Sequence, residues 1–418
     1  MRIVAVADTD SYVKWAAALV SDPRIDGELV VLDTELAVSD AQLAAAVSGT
    51  DLSVRRVGHD QLERAVAGAD AVLVAARGPV ARFVARTVGR ARPRPVLVTG
   101  LPGISIPPTW LALHFRRECD LFVLHSRREV REFELLAAER GIDQRFALAT
   151  LPFANSADER DGGTDLVFAA QAIVPRERRD RLRVAQVLID TARADPSRRV
   201  VVKLRGRPGE HETHRETDRY PDLLAEIGGV PANLVVSYAP MREALRSAEG
   251  LVTVSSTAAI EAAAGGVPVI ALDDLGVSPD LINMVFAGSG LLRSADDVVA
   301  RRFGRPAPAW LADNYFHDPR EDTWLRETGE LVKRRARGAL APRDVPRIVG
   351  GRGREAWDRR QALGRRDRSA TGRLATIVGT PIRAMLGLAR RVRRWIRPAA
   401  HPGISPGARR GVRARDTP

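Results

Sequence analysis

Short apolar runs rich in Val, Leu and Ala alternate, along the first half of this chain, with stretches whose apolar positions recur three and four residues apart. The runs read as buried strands: Arg2 to Ala7, Glu28 to Leu32, Ala71 to Ala75, Pro95 to Val98, Leu121 to Leu124 and Ala147 to Leu151. Between them, Tyr12 to Val20, Val80 to Val88, Trp110 to Glu118 and Glu129 to Arg140 carry the period of amphipathic helices. Strand alternating with helix predicts a doubly wound parallel sheet, because each parallel strand needs a crossover to reach the next. A polar stretch with paired glycines, Asn155 to Thr164, reads as a linker. The pattern then restarts. Leu166 to Ala170, Val200 to Leu204, Leu234 to Ser237, Leu251 to Val254 and Val267 to Leu272 are the expected strands, and Arg176 to Ala194 is a long arginine-rich helix. The expected fold is α/β: two Rossmann-like doubly wound domains, residues 1–154 and 165–332, facing a cleft at the carboxyl ends of their strands.

Past Lys333 the composition changes. Residues 333–418 hold 24 Lys and Arg against 5 Asp and Glu, whereas the rest holds 41 against 47. The whole positive balance of +13 therefore belongs to the tail, and the mildly acidic body is a poor candidate for binding nucleic acid. Pro, Gly and Arg dominate 334–373 and the stretch beyond Pro398, which are expected to be largely disordered. Between them Val378, Ile382, Met385, Leu386, Val392, Trp395 and Ile396 recur at helical spacing among arginines. That predicts an amphipathic helix over 378–397, started by Pro381 and suited to an anionic membrane surface, with a basic tail that binds nucleic acid as the alternative. The single cysteine, Cys119, excludes an internal disulfide framework and a thiolate metal cage, and suits a reducing compartment. Met1 leads straight into a strand-like run without a secretory signal, and no apolar run approaches the ~20 residues of a membrane span. The expected location is cytoplasmic, peripheral on the inner face of the plasma membrane.

Candidate chemistry is densest in Leu251 to Leu272, LVTVSSTAAIEAAAGGVPVIAL. A strand ends in Ser255-Ser256-Thr257, an alanine-rich helix carries one charge, Glu261, and Gly265-Gly266 stops it before the next strand. Hydroxyls and unsatisfied N–H groups at such a junction favour an anion such as a phosphate. Thr257 and Glu261 share a helix face, so the unit suits a nucleotide, with Glu261 on ribose hydroxyls. Ordinary helix capping by Ser and Thr and a solvated Glu are the plain alternatives.

This stretch resembles the nucleotide-binding half of two-domain GT-B transferases that build surface polysaccharides. It is most similar to the Ser-Ser motif of bacterial sialyl- and polysialyltransferases, capsule transferases and CDP-glycerol glycerophosphotransferases. To about Lys333 the chain resembles an actinobacterial family of glycosyltransferases. The resemblance implies a nucleotide-activated sugar donor and a surface-glycan or lipid-linked acceptor, with no cofactor and no metal. In the sialyl- and glycerophosphotransferases a His-Pro pair in the second domain contacts the donor phosphates. That pair is absent here, and Lys203, Arg205, His211 and His214, in a polar loop after a strand, are its expected replacement. A solvated loop is the alternative, and zinc ranks below phosphate because the loop lacks a third histidine or cysteine.

Gln171 closes the first strand of the second half where such domains often meet the donor, though a satisfied turn residue is an equal reading. Tyr238 ends another strand and could stack on the base or simply pack. In the first half, strand one runs into Ala7-Asp8-Thr9-Asp10-Ser11 without a glycine-rich fingerprint, which argues against a dinucleotide coenzyme. Transfer with inversion needs a group to take the acceptor's proton. Asp10 is the first candidate, Asp8 the second and His125 the histidine of choice. Helix capping by Asp10 and a buried structural His125 are the alternatives. The Gly/Pro loop from Thr99 to Ile104 could frame the acceptor. Rival functions are a CDP-glycerol-type glycerophosphotransferase, a UDP-sugar epimerase, and a non-catalytic membrane- or nucleic-acid-binding protein led by the tail.

Overall fold

The structure, a computed structural model, describes residues 1–36, 38–155, 161–205, 216–343 and 351–381. Seven strands form the first sheet: β1 (Arg2–Ala7), β2 (Asp26–Leu32), β3 (Ser53–Val57), β4 (Ala71–Ala75), β5 (Val96–Gly100), β6 (Leu121–Leu124) and β7 (Phe146–Leu148). Their order is β3-β2-β1-β4-β5-β6-β7. Six form the second: β8 (Asp165–Ala169), β9 (Val200–Lys203), β10 (Leu234–Ser237), β11 (Ala248–Thr253), β12 (Val269–Leu272) and β13 (Leu292–Arg293), in the order β10-β9-β8-β11-β12-β13. Every neighbouring pair is parallel. Helices cover both faces of each sheet, which is why β4, β5 and β8 are buried along their whole length and read as continuous apolar runs. Two strands are not legible in that pattern. β3, sequence SVRRV, is a largely exposed edge, and β13 has only two residues.

Each sheet has a switch point, where the strand order reverses and the carboxyl ends of two neighbouring strands diverge. In the first sheet it lies between β1 and β4, and in the second between β8 and β11. The halves are tied together beyond their linker. Ile106, in the loop after β5, is buried in the core of the second domain beside Leu151, and Ile104 packs there too. In the opposite direction the helix Trp324–Ala336 returns to the first domain, where Trp324 and Leu331 join the core under β1. Thr323 locks that return. Its N–H donates to Leu148 O at 2.9 Å, and its hydroxyl accepts from Leu148 N–H at 3.0 Å.

The basic stretch differs from its expected disorder. A helix, Gly351–Leu363, follows, and its Ala362 and Leu363 enter the core beneath the helix Gly78–Val88. Few apolar side chains are enough here because ion pairs such as Arg90–Glu355 (3.2 Å) flank them. Residues 370–381 are helical as well, so this helix begins well before Pro381. Most of the expected 378–397 helix lies outside the described residues, as do His211 and His214. Among the described residues no helix is long and apolar enough to cross a membrane.

Candidate active site

The two switch points face one another. On the second domain, Gln171 leaves β8 and Ser255 leaves β11, and Gln171 Oε1 accepts from both Ser255 N–H and Ser255 Oγ–H at 3.0 Å. Gln171 is therefore the satisfied turn residue that fixes the mouth of this sheet. Behind it Arg181, buried on the long helix Arg178–Ala194, donates to Gln171 O (2.8 Å), Ala172 O (2.6 Å) and Pro175 O (2.8 Å) and pairs with Glu216 (2.8 Å). Ser256 Oγ accepts from Ala258 N–H at 3.2 Å, and Ser256 N–H donates to Thr253 Oγ1 at 3.1 Å. The turn before the short helix Ala258–Ala264 is thus held by its own hydroxyls, as plain capping chemistry dictates. Thr257 makes no side-chain cap. A Cβ placed on Gly103 would stand 3.0 Å from Thr257 Cγ2, so the Gly/Pro loop of the first domain lies directly against the Ser-Ser-Thr turn.

Charge gathers beside that turn. Lys203 ends β9, next to β8, and is buried with its ammonium donating to Leu204 O. Burial holds its pKa below the usual lysine value, and the nearby cations Arg205 and Lys14 add to that while Glu261 opposes it. Glu261 is the counterpart: burial lifts its carboxyl from 4.5 to about 7, with Lys14, Lys203 and Arg205 pulling the other way. Lys14 belongs to the first domain and Glu261 to the second, so the cluster spans the cleft. Arg205 bridges it outright, donating from Nη2 to Ser11 Oγ at 2.8 Å. Tyr238 packs along the edge of the second domain's other core, beyond β9, rather than among these charges.

The first domain's candidates separate into one half-buried carboxylate and two fully buried groups. Asp8 is buried at the switch point with both oxygens occupied: Arg77 N–H reaches Oδ1 (3.1 Å) and Arg77 Nε reaches Oδ2 (2.7 Å). Burial raises its pKa against the pull of Arg77. His125 is buried as well. Its Nε2 lies 2.7 Å from Trp15 Nε1 and 3.0 Å from Leu101 O, and its Nδ1 lies 2.7 Å from Ala149 O. Burial lowers its pKa below the usual histidine value, against the pull of Glu129. Neither group is free to receive a proton from a substrate. Both groups stand as fixed supports of the cleft floor. Asp10 differs. Thr9 occupies the helix N-cap, so Asp10 is the first residue of the helix Asp10–Val20 rather than its cap. Its Oδ2 meets Lys14 Nζ at 3.0 Å, and its Oδ1 is buried without a hydrogen-bond partner.

Sequence reasoning passed over Lys14, Arg77, Arg181 and Glu129. Glu129 is a buried hub, accepting from Ser105 N–H (2.8 Å), His125 N–H (2.9 Å) and Tyr315 O–H (2.7 Å). Its signal is its position on the buried stripe with Phe133 and Ala137, four and eight residues on; Arg181 stands likewise on the stripe of Val184, Ala185 and Leu188. Among the described residues no three His, Cys, Asp or Glu side chains stand together as metal ligands.

Two parallel α/β domains with opposed switch points and a charged cleft define the GT-B class of fold. The chain belongs to the family described as Putative glycosyltransferase (DUF6716), whose profile matches residues 3–331. No curated protein matches it in sequence. Among solved structures it is similar to S. aureus MnaA, solved with UDP, at 12% identity and TM-score 0.51, covering 81% of this chain and 97% of that one. It is equally similar to the putative UDP-N-acetylglucosamine 2-epimerase of Listeria monocytogenes, at 12% identity and TM-score 0.51, covering 84% and 99%. At such identity the likeness concerns the fold.

Proposed function

We propose that the protein transfers a sugar from a nucleotide-activated donor to a hydroxyl of a surface glycan or lipid-linked glycan at the inner face of the membrane. The observation that carries this reading is the cluster of Lys14, Lys203, Arg205 and Glu261 between the two switch points, with the unpartnered Oδ1 of Asp10 on the same side of the first domain. The donor lies on the second domain. Ser256 and Thr257 offer hydroxyls to its phosphates, Ser255 positions them through Gln171, and Glu261 meets the ribose. Asp10 Oδ1 takes the proton of the acceptor hydroxyl as that oxygen bonds to the anomeric carbon. The bond from that carbon to phosphate breaks, and the nucleotide leaves with the electron pair, its charge met by Lys203 and Arg205. UDP, bound by the S. aureus neighbour, makes a nucleoside diphosphate the first leaving group to test.

The Listeria neighbour's description favours a second reading, epimerisation of a UDP-sugar, which needs no acceptor. One experiment separates the possibilities. The full chain is screened for thermal stabilisation by CMP, CDP, UDP and GDP, then incubated with the matching sugar nucleotides with and without a glycan acceptor. A glycosidic product that requires acceptor supports transfer. An isomerised sugar nucleotide without acceptor supports epimerisation, and a phosphodiester product supports glycerophosphotransfer. Asp10→Asn is expected to lower turnover about 10²–10⁴-fold with nucleotide binding retained. Normal turnover in that variant removes Asp10 from the mechanism.

A further inference from the structure

The helix at 370–381 is inside out. Gly372 is buried, Thr376 donates from Oγ1 to Gly372 O at 2.9 Å, and a Cβ on Gly379 would come 2.2 Å from the Trp357 ring. Positions 372, 376 and 379 form one stripe, and it is the small residues that face the protein. The large apolar residues face away: Leu374, Ile377 and Val378 are 62%, 71% and 53% exposed. Leu374, Ile377 and Val378 recur at three- and four-residue spacing, so they form one patch on one helix face. Other exposed large apolar residues, such as Leu111, Leu135 and Val277, lie far apart in the chain. A water-facing helix normally has the opposite arrangement.

Charge around the patch identifies what covers it. Arg365, Arg368 and Arg373 are exposed and have no ion pair among the described residues. From 364 to 397 the sequence holds ten arginines against one acid, Asp367, and Arg359 already pairs with that carboxylate at 3.0 Å. A second copy of the chain docking patch to patch would bring equal sets of unneutralised guanidinium groups together, and repulsion would oppose it. A bilayer carrying anionic headgroups satisfies both parts, taking the apolar side chains below the headgroups and the arginines at the phosphates. We propose that the face of Leu374, Ile377 and Val378 is a docking surface for an anionic membrane. The docking helix sits on Gly351–Leu363, which packs on Gly78–Val88 of the first domain. Membrane contact is therefore made by the domain that carries Asp10, where the proposed acceptor would be presented.

The test uses the full chain and vesicles of phosphatidylcholine with or without phosphatidylglycerol, read by flotation. The parent is expected to float with the anionic vesicles and to be released by high salt. Leu374→Ser/Ile377→Ser/Val378→Ser is expected to bind at least tenfold more weakly, with an unchanged melting temperature and unchanged nucleotide binding. Because the altered residues are exposed, a normal melting temperature separates lost docking from lost folding. Equal flotation of the triple variant, equal binding to neutral vesicles, or no flotation of the parent would each overturn the proposal. So would a parent dimer that the triple variant abolishes, seen by light scattering together with no vesicle binding. These readouts do not depend on sugar transfer, so failure of the transferase reading leaves them intact.

Discussion

Side chains in the cleft are set by burial as much as by charge. Glu261 keeps a proton to about pH 7 although three cations are close, because desolvation outweighs them. In the unfolded chain it ionises near 4.5. Between those values the folded state binds more protons than the unfolded one. Stability attributable to this group therefore falls as pH rises from 4.5 to 7, and the penalty is complete above 7. Glu261→Gln should match the parent near pH 4.5 and exceed it at pH 8 by about 1–3 kcal/mol in denaturant titrations. A constant difference across that range would show that Glu261 ionises normally. The same substitution should weaken nucleotide binding if Glu261 meets the ribose, so stability and affinity move in opposite directions. The sequence shows Glu261 plainly as the lone charge on an alanine-rich helix, and Asp10 at a strand end. It does not show that Asp8 and His125 are already occupied, because Arg77 and Trp15, which occupy them, lie 69 and 110 residues away.

At the scale of elements, most of the strands and long helices are legible because buried parallel strands produce uninterrupted apolar runs. The failures have physical causes. β3 alternates weakly because it is an exposed edge, and the helix Asp40–Val47 buries no residue at all. The helix Gly351–Leu363 hides within an arginine-rich stretch because its buried surface is supplied by two alanines and a leucine. The junction of β8 and β11 is legible as a Ser-Ser turn, yet its key tie, Gln171 to Ser255, joins positions 84 residues apart. Gln171→Ala leaves a buried N–H and a buried hydroxyl without their acceptor. It should cost about 1–3 kcal/mol of stability and loosen the turn. Nucleotide affinity should fall about tenfold, measured by calorimetry, an expectation that rests on the turn's orientation being what the phosphates recognise. Loss of stability with unchanged affinity would confine Gln171 to a structural task.

The whole molecule is fastened across its cleft by groups that no local pattern reveals. Glu129 of the first domain accepts from Tyr315 near the chain's return to it, and Arg131 pairs with Asp313 at 2.6 Å. Tyr315→Phe removes one charge-assisted bond and leaves Glu129 two donors, so it should cost about 1.5–3 kcal/mol while unfolding remains a single transition. A separate early transition for one domain would show that the seam is weaker than its hydrogen bonds imply. The exchange of parts between the halves has a further consequence, for recombination. Ile106 fills the second domain's core from the first, and Trp324 and Leu331 finish the first domain's core from the far end of the chain. A second domain grafted from a relative would arrive with a hollow where Ile106 belongs and would strip the cover from β1. A working chimera must carry the loop after β5 and the returning helix together, so specificity in this family should drift by substitution inside the cleft more readily than by shuffling of whole halves.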